Sequence, residues 1–155
     1  MVITSKDNEN IKRIKKLKEK KYREEYGEYI VEGMKFINEA TLANKEIKKV
    51  IICDDCVQSG ALDQKTLYKV AKYDCMYVTE NVFKTLSDVH TPQGILSIIK
   101  METTDVSDNK IDFSQDLILI LDGISDPGNL GTILRTADSV RAHTINNIRR
   151  YCRHI

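Results

Sequence analysis

Leu117-Ile-Leu-Ile-Leu-Asp-Gly-Ile-Ser-Asp-Pro-Gly-Asn-Leu-Gly-Thr-Ile-Leu-Arg-Thr-Ala-Asp138 is the most informative stretch of this 155-residue chain. Its first five residues are all apolar, as in a strand buried on both faces of a parallel sheet. A turn containing Gly123 and Gly128 follows, then a helix from about Leu130 to Ser139. At about 100° per residue, Leu130, Ile133, Leu134 and Ala137 share one stripe that would pack on the sheet. The turn lies at the carboxyl end of a parallel strand, where open α/β sheets place ligands, and a glycine turn feeding a helix suits an anion. No Gly-Lys-Ser/Thr follows, which excludes a Walker loop, and Gly128-x-x-Gly131 lacks the first glycine of a dinucleotide fingerprint. Asn129 stands at the helix entrance, while Arg135 projects away from the stripe, with Gly131 leaving space beside it. On spacing alone these two read as a helix cap and a surface cation paired with Asp138.

Upstream, strands and helices alternate. Gly27 to Gly33, Lys49 to Cys53, Cys75 to Val78 and Gly94 to Ile99 read as strands. Met34 to Asn44, Ala61 to Lys72 and Glu80 to Leu86 read as helices. This order predicts an α/β layer sandwich with a largely parallel or mixed sheet, closing near residue 100. Residues 101–114 are polar, acidic and aperiodic, and read as a linker. The domain plan is therefore 1–100, a linker over 101–114, and a new unit from 115.

Net charge is +1, but it is unevenly distributed. Residues 1–23 carry nine Lys/Arg against three acids, residues 24–140 eleven against twenty, and residues 141–155 four against none. Lys12, Arg13, Lys15, Lys16, Lys18, Lys20, Lys21 and Arg23 flank a single acid, Glu19, while Ile11, Ile14 and Leu17 recur every third residue. This is an amphipathic basic helix. Such a face is either solvated or bound to a polyanion; the mutual repulsion of so many cations makes a polyanionic partner a reasonable expectation.

Cys53-Asp-Asp-Cys56 follows an apolar strand, the arrangement of thiol oxidoreductases, so a redox function through Cys53 and Cys56 is an alternative. Two intervening aspartates would raise both thiol pKa values, opposite to what a reactive thiolate needs, and loop cysteines are the better reading. No second Cys/His pair stands at zinc spacing, so no metal site is expected. No apolar run approaches the roughly 20 residues of a membrane helix, and Met1 to Lys6 lacks the apolar core of a signal peptide. The expected location is cytoplasmic.

The stretch from Leu121 to Asp138, with Asn129-x-Gly131 followed by Arg135-Thr-Ala137, resembles the first motif of the SpoU/TrmH-type RNA ribose methyltransferases. Ile3-Thr-Ser-Lys-Asp-Asn8, Tyr29-Ile-Val-Glu-Gly33 and Thr91-Pro-Gln-Gly94 are similar to that family's substrate-binding domain. The resemblance covers about residues 1–140. It implies a three-layer α/β/α RNA-binding domain resembling a ribosomal protein, followed by the first β-turn-α unit of a knotted SPOUT domain, which is usually dimeric. It implies transfer of a methyl group from S-adenosylmethionine to a ribose 2′-hydroxyl of ribosomal or transfer RNA, with Asn129 and Arg135 as catalytic positions. Lys12, Arg13, Lys15, Lys16, Lys20, Lys21 and Arg23 are the candidate RNA contacts.

After Val140 the match stops. Arg141 stands where a helix-ending glycine is expected, Ala142 to Ile145 offers only a short strand, and the two later motifs that hold the cofactor are absent. Residues 141–155 read as an aberrant basic tail, such as a broken reading frame would produce. A naturally short protein with a basic RNA-binding tail is the alternative. The expectation is a truncated family member, or a stand-alone RNA-binding module, that binds RNA but not S-adenosylmethionine. Its strand 117–121 would lack neighbours.

Overall fold

Val50-Ile-Ile-Cys53 is apolar without a break, and a strand so composed needs cover on both faces. The computed structural model, which describes residues 1–102, 117–124, 126–142 and the backbone of 144–148, supplies that cover in the first of two units, Met1–Glu102 and Thr103–Ile155. The first unit runs β1 (Val2–Ile3), α1 (Glu9–Lys16), α2 (Lys20–Tyr26), β2 (Glu28–Glu32), α3 (Met34–Leu42), β3 (Ile47–Cys53), α4 (Asp54–Gln58), α5 (Gln64–Val70), β4 (Cys75–Val78), α6 (Glu80–Leu86) and β5 (Ile95–Lys100). Its five-stranded sheet has the order β1-β4-β3-β5-β2. β1, β4 and β3 are parallel, whereas β5 is antiparallel to both β3 and β2. The sheet is therefore mixed.

Alternation along the strands sorts the core into two layers. Ile51, Cys53, Leu96 and Ile98 point to one side and meet Ile11 and Ile14 of α1 and its cap Leu17, with Val82, Phe83 and Leu86 from α6. Val50, Ile52 and Ile95 point to the other side and meet Ile37 of α3 and Val70 of α5. This is the three-layer α/β/α domain.

Several boundaries differ from the sequence reading, each for a local reason. The single basic helix is two helices, because the apolar stripe stops at Leu17 and α2 has no buried residue to continue it. The Arg23 guanidinium donates to the Leu17 and Lys18 carbonyls, at 3.3 and 2.7 Å, and so satisfies acceptors freed by the break. Cys53 and Cys56 are not loop residues: Cys53 ends β3, and Cys56 lies in α4, whose first turn carries Asp54 and Asp55, favourable at a helix N-terminus. The helix expected from Ala61 begins at Gln64 because Asp63 caps it, accepting from the Thr66 N–H at 2.8 Å.

In the second unit, β6 (Ile118–Asp122), α7 (Pro127–Ser139) and β7 (Thr144–Ile148) form a β-α-β unit in which β6 and β7 pair in parallel, Ile118 opposite Thr144 through Asp122 opposite Ile148. Strand 117–121 therefore has a neighbour, and the strand expected only over Ala142 to Ile145 runs on to Ile148. It is not buried on both faces, however: Leu121 is buried, whereas Ile120 is 59% exposed. Residues 103–116, which include most of the expected linker, lie outside the described residues.

Candidate functional site

Two sets of side chains form candidate sites, one in each unit. In the first, α1 and α2 present the basic segment, and its cations divide into two groups. Arg13 and Arg23 serve internal contacts. The Arg13 guanidinium lies 2.8 Å from the Glu28 carboxylate, an ion pair poorly aligned for a hydrogen bond, and 4.7 Å from the centre of the Tyr26 ring. Arg23 donates to the Leu17 and Lys18 carbonyls, as described. Lys18, likewise, donates to the Ser87 carbonyl and pairs with Asp88. Lys12 and Lys20 keep looser pairs, Lys12 at 3.4 Å from Asp7 and 3.8 Å from Glu9, Lys20 at 3.7 Å from Glu24. Lys15, Lys16 and Lys21 are exposed and have no carboxylate partner among the described residues. Exposed pairs of the Lys12 kind contribute about 0–1 kcal/mol, so those lysines exchange partners at little cost.

Tyr22 and Tyr26, which the sequence reading passed over, sit among these cations. Their rings lie 5.9 Å apart at 34°, and the Lys16 and Lys21 ammonium groups lie 5.1 and 5.5 Å from the centre of the Tyr22 ring. Helical spacing, Tyr22 to Tyr26 at i,i+4, was the available signal. Nothing local in the sequence ties Glu28 to Arg13.

Two of the three family-like segments of the first unit converge. β2 pairs with β5, the Gly33 N–H donates to the Ile95 carbonyl at 3.0 Å, and a Cβ placed on Gly33 would fall 2.6 Å from the Gln93 side-chain oxygen. Glu32 accepts from the Ser87 hydroxyl at 2.7 Å. The third segment, from Ile3 to Asn8, begins at β1 on the opposite edge of the sheet and ends in the Asn8 cap of α1.

In the second unit, α7 starts earlier than the sequence reading has it. Asp126 is the cap, its carboxylate accepting from the Asn129 N–H at 2.8 Å, and Pro127 occupies the first helical position, where its missing N–H costs nothing. Asn129 is thus not the cap: its backbone is capped and its exposed side chain has no hydrogen-bond partner among the described residues. Arg135 does not pair with Asp138. Its guanidinium donates to the Thr132 hydroxyl at 3.1 Å, and a Cβ on Gly131 would stand 3.3 Å from Nη1, so the glycine lets the side chain fold back along the helix. A cleft of about 480 Å³ is lined by Gly123, Ile124, Asp126, Asn129, Thr132 and Ile133. All its described walls come from the turn and one helix face. The Asp126 carboxylate is engaged by Asn129, and the Thr132 hydroxyl donates to the Gly128 carbonyl at 2.9 Å.

The thiol alternative fails on its chemistry. Cys53 is buried, and burial, followed by the neighbouring Cys53 and the Glu80 and Asp55 carboxylates, pushes the Cys56 thiol up to about 11. Burial also raises Cys75. Among the described residues no His/Cys/Asp/Glu group is arranged to hold a metal, and no helix is long and apolar enough to cross a membrane.

Comparison with known proteins fits this geometry. The MRM3-like substrate binding domain family matches residues 8–97. The chain is 28% identical over 137 residues to the Bacillus subtilis 23S rRNA (guanosine(2553)-2′-O)-methyltransferase RlmP, covering 88% of this chain and 50% of that protein. It is 32% identical over 127 residues to human mitochondrial rRNA methyltransferase 3, covering 78% of this chain and 29% of that one. Among solved structures, an RNA 2′-O ribose methyltransferase superposes with a TM-score of 0.76 at 28% identity, over 97% of this chain and 56% of that chain. The AdoMet-bound rRNA methyltransferase of Sinorhizobium meliloti does so with a TM-score of 0.76 at 27% identity, over 97% and 55%. The chain thus spans about half the length of the bacterial relatives it matches. With its substrate-binding fold and its Asn129-x-Gly131 and Arg135-Thr-Ala137 motif, the chain belongs to the SpoU/TrmH family of RNA 2′-O-ribose methyltransferases.

Proposed function

We propose that this chain binds ribosomal or transfer RNA through the basic face of α1 and α2, in the service of ribose 2′-O-methylation. The observation that carries the reading is the exposed trio Lys15, Lys16 and Lys21, without carboxylate partners among the described residues, on the flank of a domain whose family is a substrate-binding one. Lys12 and Lys20 add to it by exchanging weak surface pairs for phosphates. Arg13 and Arg23 contribute by holding the two helices in place. The location that goes with this reading is the cytoplasm, supported by the bacterial relative, and homodimers are the usual form of the family it resembles.

Asn129 and Arg135 take the catalytic positions in this reading. The Arg135 guanidinium stays protonated in any protein environment, which suits it to the phosphate beside the target ribose rather than to proton abstraction. Holding that phosphate would orient the 2′-hydroxyl, the group that distinguishes RNA from DNA. S-adenosylmethionine supplies the methyl group in this chemistry. Residues 117–142 do not by themselves fit the whole donor, because the described cleft has one helical wall and its Asp126 and Thr132 side chains are already engaged. We therefore assign RNA binding to the chain alone, and methyl transfer only to an assembly that supplies further walls.

The test is binding of the full chain to a ribosomal RNA transcript across a salt series. Each lysine released from phosphate removes about 0.7–0.9 from the slope of log affinity against log salt. The triple variant Lys15→Gln, Lys16→Gln, Lys21→Gln should lower that slope by about two. Salt-independent binding, or an unchanged slope, would sink the reading. Methyl transfer from labelled S-adenosylmethionine by the chain alone would overturn the assignment of the cofactor site.

A further inference from the structure

We propose that Tyr22 is a stacking platform for an unpaired RNA base, so that the substrate carries a loop, bulge or single-stranded end where it meets α2. The inference rests on the RNA-binding reading and deepens it by naming the form of RNA.

The ring is held from behind. Glu28, whose side chain is only 13% exposed, fixes the Arg13 guanidinium, the guanidinium lies 4.7 Å from the Tyr26 ring centre, and Tyr26 in turn packs on the core beneath α1 and supports Tyr22 at 5.9 Å. This chain of contacts sets the ring before any ligand arrives, which lowers the ordering cost of binding. Two ammonium groups without carboxylate partners among the described residues, Lys16 and Lys21, rest near the ring at 5.1 and 5.5 Å. Ammonium over the half-buried Tyr22 ring is a weak contact, and a base stacked on the part of the ring open to solvent is a stronger one. When a base takes the ring, the two lysine heads swing on their flexible stems to the phosphates on either side. One aromatic face flanked by two mobile cations is the pattern that binds a single nucleotide with its backbone. A base inside a duplex is already stacked on both faces and would have to be pulled out first. The platform therefore selects unpaired nucleotides, whereas the lysines alone accept any RNA.

The experiment uses the full chain and two probes: an oligouridylate strand, whose bases are largely unstacked, carrying one 2-aminopurine whose fluorescence falls on stacking, and a blunt RNA duplex of equal length. Wild type should quench the 2-aminopurine. Tyr22→Ala should weaken binding of the strand about tenfold and leave the duplex within about twofold, while Tyr22→Phe stays near wild type on both. Lys15→Ala should weaken both probes alike. The proposal is overturned if wild type binds the strand without quenching, a readout that does not depend on any variant folding, or if Tyr22→Ala affects strand and duplex equally. Binding of neither probe overturns the RNA-binding reading as well; binding of both without dependence on Tyr22 overturns the platform alone.

Discussion

The two units use similar strands to different ends. In the first, β3 and β5 are apolar on both sides, and helices cover both: Ile51, Ile52, Leu96 and Ile99 are at most 1% exposed. In the second, β6 is just as apolar, yet among its described residues only Leu121 is buried, and Leu117, Ile120, Leu134 and Val140 are each at least 40% exposed. A second cavity of about 340 Å³, lined by Leu119, Ile133, Ala137 and Val140 among others, opens on this surface. An apolar strand is thus necessary for a buried sheet but does not make one. Burial depends on how many layers the rest of the chain supplies, which a single strand cannot report. Unit stability should follow the same division.

The largest test of this contrast sets Leu96→Ala against Ile120→Ala. Leu96 belongs to the layer under α1 and α6, and emptying it should cost about 3 kcal/mol, combining lost transfer energy with an unfilled cavity. Ile120 is already in water, so the same truncation should stay within about 0.5 kcal/mol. Urea unfolding followed by tyrosine fluorescence reads the first, since every tyrosine except Tyr151 lies within residues 1–102. Hydrogen exchange resolved by segment reads the second. A costly Ile120→Ala would mean that β6 is covered in solution and the contrast is false.

Gly94→Ala probes how the first unit closes. Gly94 has φ +75, and a Cβ there would stand 2.8 Å from both Cβ and Sγ of Cys56. Left-handed backbone costs an alanine about 1–2 kcal/mol and overpacking a further 1–3 kcal/mol, so a loss of about 3 kcal/mol is expected. Gly60, at φ +76 with nothing within 4 Å of the same position, is the control and should show only the backbone cost. Equal losses at the two glycines would remove packing against Cys56 as the cause.

What could be read in advance divides along the same lines. The strands at 49–53, 75–78 and 94–99 are legible because short apolar runs bounded by turn and helix signals have few other uses. β1 is not: with two residues, Val2 and Ile3, it carries no period, and it is a strand only because β4 lies beside it. In the basic segment, spacing located the cations but not their partners. That Arg13 is held by Glu28, fifteen residues on, and Lys18 by Asp88, seventy on, depends on tertiary contacts that no window contains. At the second site, Asp126-Pro127 is a sequence-visible helix start, and placing the cap three residues later cost the side chain of Asn129 its freedom in that reading.

A gain of stability should come from Arg141→Gly. Arg141, the residue after the Val140 cap of α7, has φ +55, the left-handed conformation that commonly follows a helix and is usually taken by glycine. The position thus keeps the geometry of a glycine stop while holding a side chain that resists it. Relief should add about 1 kcal/mol to the second unit, read as slower hydrogen exchange over α7, with no change over residues 1–102. Slower exchange in both units would show that they unfold together and would undo the division on which the comparison rests.

The smallest effect is one of pH. Cys56 packs between the two apolar layers of the first unit, and burial, with Cys53, Glu80 and Asp55, pushes its thiol up to about 11 from an ordinary 9.0. The fold therefore favours the protonated form. Below pH 9.0 both folded and unfolded chains keep that proton and the group contributes no pH dependence. As pH rises from 9.0 towards 11 the unfolded chain releases it first, and stability falls. The difference in urea midpoint between wild type and Cys56→Ala reads this contribution, since groups remote from Cys56 are common to both chains. That difference should be constant up to about pH 9 and should then shift against wild type. A difference that stays flat, or rapid reaction of Cys56 with a thiol reagent at neutral pH, would show that the layers leave this thiol in water.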